Sequence, residues 1–190
     1  MMPRILAFAS STRRESFNKK LVAIAAQGAR EAGAEVTLID LKDFPLPLSD
    51  QDLEAAQEPP EAATKLKRLF IDHDGLLIAS PEYNSSITAV LKNAIDWVSR
   101  PAPNEPPLVG FKGKVATLMS TSPGALGGLR GLVHVRSILG NIGVIVPDQI
   151  AVAKAHEAFH ADGSLKDPKQ QAGIEGLGKT LSSFLAKLKT

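Results

Sequence analysis

The sequence predicts an α/β protein with a doubly wound parallel sheet of five strands and helices on both faces. Short apolar runs without polar interruption, such as residues 5–9, are typical of strands that are buried on both faces. Segments with helical spacing of apolar residues separate these runs, and 15 glycines and 13 prolines among 190 residues supply the turns. Alternation of strand and helix predicts right-handed crossovers within one parallel sheet.

The first part of the chain alternates strand and helix from its start. Residues 5–9 predict the first strand, and apolar positions recur at helical spacing over residues 17–32 before Gly33 ends that helix. Residues 36–39 predict the second strand. Residues 42–60 hold four prolines, so we expect them to form mainly a long surface loop.

The same alternation continues through the rest of the chain. In order, we expect a helix around residues 66–70, a strand at 75–79, a helix at 87–98, a proline-rich loop at 101–107, a strand at 115–119, a helix at 126–139, a fifth strand at 144–152 interrupted near Pro147, and a final helix at 174–188. Five strands in this span favour the flavodoxin-like arrangement over the six-stranded dinucleotide fold. We expect residues 1–190 to form one domain, with ligands bound beyond the carboxyl ends of the strands.

Composition excludes several classes of function. The chain has no cysteine, which excludes disulfide scaffolds, iron–sulfur ligation and cysteine nucleophiles. Its formal charge is only +2, so charge does not indicate nucleic acid or an anionic membrane as a partner. The apolar run at the start is shorter than a signal peptide requires, and no run is long enough to span a bilayer. We therefore expect a cytoplasmic protein.

The loop after the first strand predicts a phosphate site. Ser11, Arg13, Ser16 and Asn18 supply hydroxyl, guanidinium and amide donors where a helix begins, and a helix N-terminus attracts anions. The alternative is plain helix capping by Ser16, which accounts for one hydroxyl but not for the whole group. Neither the glycine fingerprint of dinucleotide sites nor the ATPase phosphate loop is present.

The loop after the third strand has a rigid proline and an aromatic ring. Pro81 is followed by Glu82, Tyr83, Asn84 and Ser85, whose backbone N–H groups suit the edge of a flat heteroaromatic ligand. The alternative is an ordinary turn in which Ser85 or the serine after it caps the next helix. The residues alone leave both interpretations open.

Three motifs in one order resemble the NADPH-dependent FMN reductase family, which includes quinone, azo and chromate reductases. They are residues 81–86 continuing through 91–97, residues 11–18, and residues 122–128. The resemblance implies FMN bound without a covalent link, with NADPH or NADH as co-substrate. It implies that Ser11, Arg13, Ser16 and Asn18 hold the phosphate, that Pro81, Glu82, Tyr83, Asn84 and Ser85 border the isoalloxazine with backbone donors near N5 and O4, and that Ser122 and Gly124 approach from a third side.

The resemblance also implies an assembly and a range of acceptors. We expect a homodimer, or a homotetramer built from two dimers, in which the partner helps to cover the flavin. The electron acceptor is expected to be a small molecule: a quinone, an azo compound, a free flavin or a metal oxyanion. One departure concerns residues 88–89, Thr-Ala in place of the Pro-Gly of many relatives, and it bears on substrate access more than on FMN.

Two other histidine motifs suggest metal only superficially. Residues 156–160 match His-Glu-x-x-His, but no third histidine follows, so we interpret the match as chance rather than as a zinc hydrolase. Residues 72–75, Asp-His-Asp-Gly, are expected to form a solvated turn at the edge opposite the flavin. We expect no metal site.

The sequence therefore predicts an FMN-dependent NAD(P)H oxidoreductase that passes hydride from nicotinamide through the flavin to a small acceptor. The cofactor carries the chemistry, so no side chain is assigned as an obligatory catalytic acid or base. The alternative is a flavodoxin-like electron carrier or a flavin-dependent redox sensor. Carriers are usually strongly acidic, and the charge of +2 argues against one.

Overall fold

A computed structural model describes residues 2–56 and 58–188 and shows one five-stranded sheet. All neighbouring strands are parallel, in the order β2-β1-β3-β4-β5. The strands are β1 (Arg4–Ala9), β2 (Glu35–Asp40), β3 (Gly75–Ala79), β4 (Val115–Thr121) and β5 (Ile145–Val152). The predicted doubly wound α/β fold is confirmed, and the strand order is that of the flavodoxin-like arrangement.

All five helices that the sequence predicts are present, with differences at their ends, and two short helices that it does not predict lie between them. They are α1 (Phe17–Glu31), α2 (Gln51–Ala56), α3 (Glu61–Asp72), α4 (Ala89–Ser99), α5 (Leu129–Asn141), α6 (Ala155–Ala158) and α7 (Pro168–Leu188). The expected loop after β2 also contains a 3-10 helix, Leu41–Asp43, and α2. Helix α5 begins three residues later than expected because Gly127 and Gly128 have φ values of 61° and 92°, which no helix accommodates.

Alternate residues of each strand point to opposite faces and build two separate cores. On one face, Ile5 and Ala7 of β1 pack with α1 and α7. On the other face, Leu6 and Phe8 pack with α3, α4 and α5. Because both faces are covered, residues 5–9 of β1 and all of β3 read as continuous apolar runs, as in other parallel sheets.

The register brings the carboxyl ends of three strands to one level. Ala9 lies opposite Ala79, and Ala79 lies opposite Met119. The pairing extends one residue further, since the Ser10 N–H donates to the Ala79 carbonyl and the Ser80 N–H to the Met119 carbonyl, both at 2.8 Å. After β1 the chain enters α1 on one face and after β3 it enters α4 on the other, so the two loops diverge and open a crevice.

The turn at residues 72–75 lies at the opposite edge and is not solvated as expected. His73 is 7% exposed, with Nδ1 2.6 Å from the Leu69 carbonyl oxygen and Nε2 2.8 Å from Thr37 Oγ1. The expectation is wrong because the imidazole closes the gap between α3 and β2 and satisfies both ring nitrogens there. Among residues 2–56 and 58–188, no helix is both long and apolar enough to cross a membrane.

Helices α1 and α7 approach so closely that two glycines are required at their contact. A Cβ atom on Gly178 would lie 1.9 Å from the Ala25 carbonyl oxygen, and one on Gly28 would lie 2.2 Å from the Glu175 carbonyl oxygen. Both obstacles are backbone atoms, so side-chain movement cannot relieve the overlap. This contact holds α1, whose first turn follows the loop after β1, closely against α7.

We predict that Gly178→Ala lowers the free energy of unfolding by about 1–3 kcal/mol or more, because the two helices must separate. Gly176→Ala is the matched control, since a Cβ there meets no atom within 4 Å among the described residues. Alanine favours helix by up to about 1 kcal/mol over glycine, so the control should be neutral or stabilising. Urea denaturation measures both variants. Equal stabilities would contradict the close packing.

Candidate functional site

A cavity of about 110 Å³ opens at the carboxyl edge of the sheet, where the loops after β1, β3 and β4 meet. The predicted site residues that line it are Ser11, Arg13, Ser16, Asn18, Pro81, Glu82, Tyr83 and Ser122. Asn84, Ser85 and Gly124 lie outside its lining, on the same loops. The fold thus brings residues more than 100 positions apart in sequence to one small space.

The N-terminus of α1 lies at this cavity, and the side chain of its N-cap residue makes no capping hydrogen bond. Ser16 is the N-cap residue, with extended backbone (φ −89°, ψ 124°), and it is 5% exposed, but its hydroxyl caps none of the helix N–H groups. The plain capping alternative is therefore not what the structure shows. The first turn of α1, described in full, also holds no acidic side chain to balance its partial positive charge.

Ser11 and Arg13 complete the donor set at this helix end. Ser11 is 4% exposed, and its hydroxyl oxygen accepts the backbone N–H of Arg13 at 3.3 Å, which leaves the hydroxyl proton for another acceptor. The Arg13 side chain is exposed at the mouth of the cavity. Two hydroxyls, a guanidinium and a helix N-terminus form a set of donors suited to a phosphate.

Asn18 is used mainly to join α1 to β4. Its Nδ2 donates to the Thr121 carbonyl at 2.9 Å, and its Oδ1 accepts the Thr121 N–H at 3.0 Å. The side chain is 4% exposed. Because the Oδ1 atom and one N–H of Asn18 are occupied, only its second N–H can reach a ligand. The main contribution of Asn18 is to hold the first turn of α1 against the end of β4.

The loop after β3 forms a tight turn. Tyr83 and Ser86 exchange two backbone hydrogen bonds of 3.0 Å, and Asn84 and Ser85 between them have φ values of 50° and 63°. Residues other than glycine seldom adopt such values, so the turn stores strain that its surroundings must offset. Because the N–H groups of Tyr83 and Ser86 are used within the turn, donors to a ligand must come from the residues beside them.

Glu82 fastens this loop to the start of α5. Its carboxylate accepts Arg130 Nε and Nη2 at 3.1 and 2.8 Å and the Gly131 N–H at 3.0 Å. Burial acts to raise the pKa of Glu82, but these hydrogen bonds outweigh it, and the pKa lies below its usual value. A Cβ atom on Gly131 would lie only 3.3 Å from the Cβ of Glu82, so glycine permits the close approach.

Thr88, rather than Ser85 or Ser86, caps α4. Its hydroxyl oxygen accepts the Leu91 N–H at 3.2 Å, and its proton is donated to the Ser10 carbonyl at 2.9 Å. The capping alternative for the two serines is therefore wrong. One side chain links the loops after β1 and β3, and it stands at the position where the sequence departs from many relatives.

The structure adds residues that the sequence interpretation missed. Phe17, Thr121, Pro123, Ala155 and His156 also line the cavity. Helix α6 reaches it because the N–H groups of the two residues at its start donate to the loop after β4, Lys154 to the Gly124 carbonyl and Ala155 to the Ser122 carbonyl. The available signal was topological, since a segment that follows β5 also leaves the sheet at its carboxyl edge.

The His-Glu-x-x-His motif does not form a zinc-binding helix. Helix α6 ends at Ala158, so the second histidine lies beyond it. Within residues 2–56 and 58–188, no group of three histidine, cysteine or acidic side chains could hold a metal ion.

A larger cavity of about 470 Å³ lies between α3 and the segment after α4. Its cations are already paired, Lys67 with Glu105 and Arg100 with Glu54. None of the predicted site residues lines it. The volume of a cavity therefore does not identify the candidate site, whereas hydrogen-bond donors that are not already paired within the described residues do.

Comparisons with known proteins show which proteins the chain resembles. A family model described as NADPH-dependent FMN reductase matches residues 3–158. The chain is 33% identical over 188 residues to an NAD(P)H-dependent FMN reductase of Pseudomonas aeruginosa, covering 98% of this chain and 97% of that protein. It is 32% identical over 195 residues to an NADPH:quinone oxidoreductase of Arabidopsis thaliana, covering 97% and 93%. Among solved structures, the flavoenzyme NAD(P)H:(acceptor) oxidoreductase FerB of Paracoccus denitrificans matches with a TM-score of 0.80 and 29% identity, over 98% of both chains.

We predict that Glu82→Gln destabilises the fold in a pH-dependent manner. A carboxyl whose pKa is lower in the folded than in the unfolded chain stabilises the fold above its unfolded value, here about 4.5, and this contribution is lost as the pH falls through the folded pKa. Gln retains the shape but loses the charge, so the variant should lose roughly 1–2 kcal/mol near neutral pH and less at an acidic pH below about 4.5.

Urea denaturation at the two pH values measures this loss. Glu157→Gln is the control, because that side chain is 74% exposed and 3.7 Å from Lys154, an arrangement that contributes little. A loss that is the same at both pH values would contradict the role of the Glu82 charge.

Proposed function

The chain belongs to the NADPH-dependent FMN reductase family, and we propose that it transfers electrons from NAD(P)H to quinones and related small acceptors. It is an NAD(P)H-dependent flavoenzyme with FMN as cofactor. The observation that carries the proposal is the N-terminus of α1, where Ser16 is buried at the cap position and yet leaves the helix N–H groups uncapped within the described structure.

The residues present fit an FMN phosphate. In this proposal the hydroxyls of Ser11 and Ser16, the Arg13 guanidinium and the first-turn N–H groups of α1 hold the phosphate. Asn18 contributes its remaining N–H and fixes the loop through Thr121. This explains why a buried serine at the cap position is not spent on the helix itself.

The loops after β3 and β4 would border the isoalloxazine. Pro81 and Tyr83 line the cavity beside Ser122, while Asn84, Ser85 and Gly124 lie on the same loops beyond it. Since the turn uses the N–H groups of Tyr83 and Ser86, we assign the backbone donors to Glu82, Asn84 or Ser85. The Glu82 carboxylate shapes the loop through Arg130 and Gly131 rather than touching the flavin.

When bound, FMN supplies the redox chemistry by accepting a hydride from the nicotinamide and returning electrons to the second substrate. The chain binds and orients. We assign no side chain as a general acid or base, because the buried carboxylate nearest the loop, Glu82, is held as an anion by its hydrogen bonds. Protons for the acceptor come from solvent.

Quinones are the acceptors with the best support, because the similar Arabidopsis thaliana protein is an NADPH:quinone oxidoreductase. Azo compounds, free flavins and metal oxyanions belong to the same proposal, since reduced flavin transfers electrons to many acceptors. A side chain that selected one of these acceptors would have to contact the acceptor directly.

The cavity of about 110 Å³ is smaller than the ~300–1,000 Å³ of sites that enclose a ligand of the size of FMN. Much of the flavin would therefore extend beyond it.

We propose that the chain acts as a single domain, residues 1–190, in a homodimer whose partner covers the exposed part of the flavin. Support comes from apolar residues that remain exposed in the loops after β3 and β4 and in α5: Tyr83 at 52%, Leu126 at 50%, Leu129 at 42% and Val133 at 55%. Exposed apolar residues that form a patch commonly mark interfaces. Light scattering should give twice the chain mass of 20.1 kDa, or four times for a tetramer, and a monomer would contradict the proposal.

A visible spectrum of the purified protein tests the function directly. We expect flavin absorption bands, either as isolated or after FMN is added, and their anaerobic bleaching by NADH or NADPH. Added benzoquinone should restore the bands. Absence of FMN binding would overturn the proposal, whereas bound FMN that neither nicotinamide nucleotide bleaches would favour the electron carrier or sensor.

A further inference from the structure

We propose that His156 is a ligand of the cofactor, donating a ring N–H to the phosphate end of FMN. This inference rests on the proposed site at α1 and adds to it a residue that lies outside the three motifs from which the site was predicted. His156 lines the same cavity as Ser11, Arg13 and Ser16.

Backbone contacts fix the histidine at this position. Helix α6 starts directly after Lys154, a residue with φ of 54°, and the Ala155 N–H donates to the Ser122 carbonyl at 3.0 Å. The Ala155 side chain is buried, 1% exposed. The backbone next to His156 is therefore hydrogen-bonded to the loop after β4, although His156 itself follows β5.

The imidazole packs on the first residue of α1. Its ring makes a T-shaped contact with Phe17, with centroids 5.2 Å apart and planes at 88°. Phe17 directly follows Ser16, so this contact places His156 at the helix N-terminus rather than at the loops after β3. On its other side Phe17 stacks on Phe159 at 5.3 Å, which holds the aromatic group together.

The His156 side chain is exposed, and its ring nitrogens have no hydrogen-bond partner among residues 2–56 and 58–188. The other histidine discussed above, His73, uses both of its nitrogens. An imidazole always carries at least one N–H donor, so His156 brings an unused donor to a cavity whose other donors suit phosphate.

Charge at the cavity also favours this role. A phosphate monoester carries about −1.5 to −2 charges at neutral pH, and Arg13 is the one Lys or Arg side chain in the described lining. The nearby Lys20 lies over the Phe17 ring at 5.5 Å, and Lys154 is 3.7 Å from Glu157. The Glu82 carboxylate is bound by Arg130 and does not compete. The phosphate of FMN therefore has oxygen atoms that can accept a further hydrogen bond from the His156 ring N–H.

The test compares FMN with riboflavin, which lacks only the phosphate. His156→Phe retains a ring beside Phe17 but has no N–H, and His160→Phe makes the same change on the same segment outside the cavity. Dissociation constants of the apoprotein for both flavins are measured by fluorescence quenching. Arg13→Ala sets the scale for a lost phosphate contact.

We expect His156→Phe to raise the Kd for FMN by roughly 10- to 150-fold, as for loss of one hydrogen bond to a charged group, and to leave the Kd for riboflavin unchanged. The ³¹P resonance of bound FMN should shift in this variant but not in His160→Phe. Unchanged riboflavin binding also shows that the variant is folded.

Four results would overturn the inference: an unchanged Kd for FMN, an equal loss for both flavins, an equal loss in His160→Phe, or a ³¹P resonance that no variant moves. The first of these, with FMN still bound by the unaltered chain, leaves the proposed function standing. Failure of the unaltered chain to bind FMN at all would overturn the proposed function and this inference with it.

Discussion

The level alignment of the carboxyl ends of β1, β3 and β4 is the constraint on which the site depends. It follows from the register that pairs Ala9 with Ala79 and Ala79 with Met119. Ser10, Ser80 and Ser120 continue these strands with small side chains that are fully buried. Larger residues there would push the loops apart, and a Cβ on Gly128 would already lie 2.0 Å from Ser120 Oγ. Close packing at this edge is what leaves one small cavity between three loops.

Helices α1 and α5 both begin at this edge, and the chain treats their N-termini differently. At α5 the chain supplies its own anion, because the Glu82 carboxylate accepts the Gly131 N–H. At α1 the described first turn contains no acidic side chain, and the Ser16 hydroxyl caps none of its N–H groups. The partial positive charge of α5 thus helps to fix a loop, while that of α1 is left without an acidic partner in its described first turn. The distinction between structural and binding helix ends lies in which donors the protein has already satisfied.

The sequence predicts most of this fold because strand burial and helix periodicity are local. The strands at residues 5–9 and 75–79 could be recognised since both of their faces are covered, which leaves no polar position. Helix α2 was missed because none of its residues is buried, so no apolar spacing reveals it. A segment can thus be predicted from its pattern of apolar residues when it is buried, and it cannot when none of its residues is buried.

The site was predictable where its residues follow strands, and less so where contacts join distant segments. Loop chemistry indicated Ser11 and Arg13, but nothing local shows that Asn18 would bond the Thr121 backbone or that Thr88 would replace Ser85 as the cap. The hydroxyl of Thr88 reaches the Ser10 carbonyl, 78 residues away. Such pairs depend on how α1 and α4 are set against the sheet, which no single segment specifies.

The same sequence motif can have a different chemical role when the conformation of its backbone differs. A His-Glu-x-x-His pair binds zinc only when both imidazoles leave one face of a continuous helix. Here Phe159 is extended (φ −106°, ψ 146°) and pairs with Leu165, so the helix stops between the two histidines. The first imidazole then turns to Phe17 and the cavity, and the second lies outside the lining. Phe159 is 6% exposed and is buried against α1, and this apolar contact accompanies the end of the helix between the two histidines.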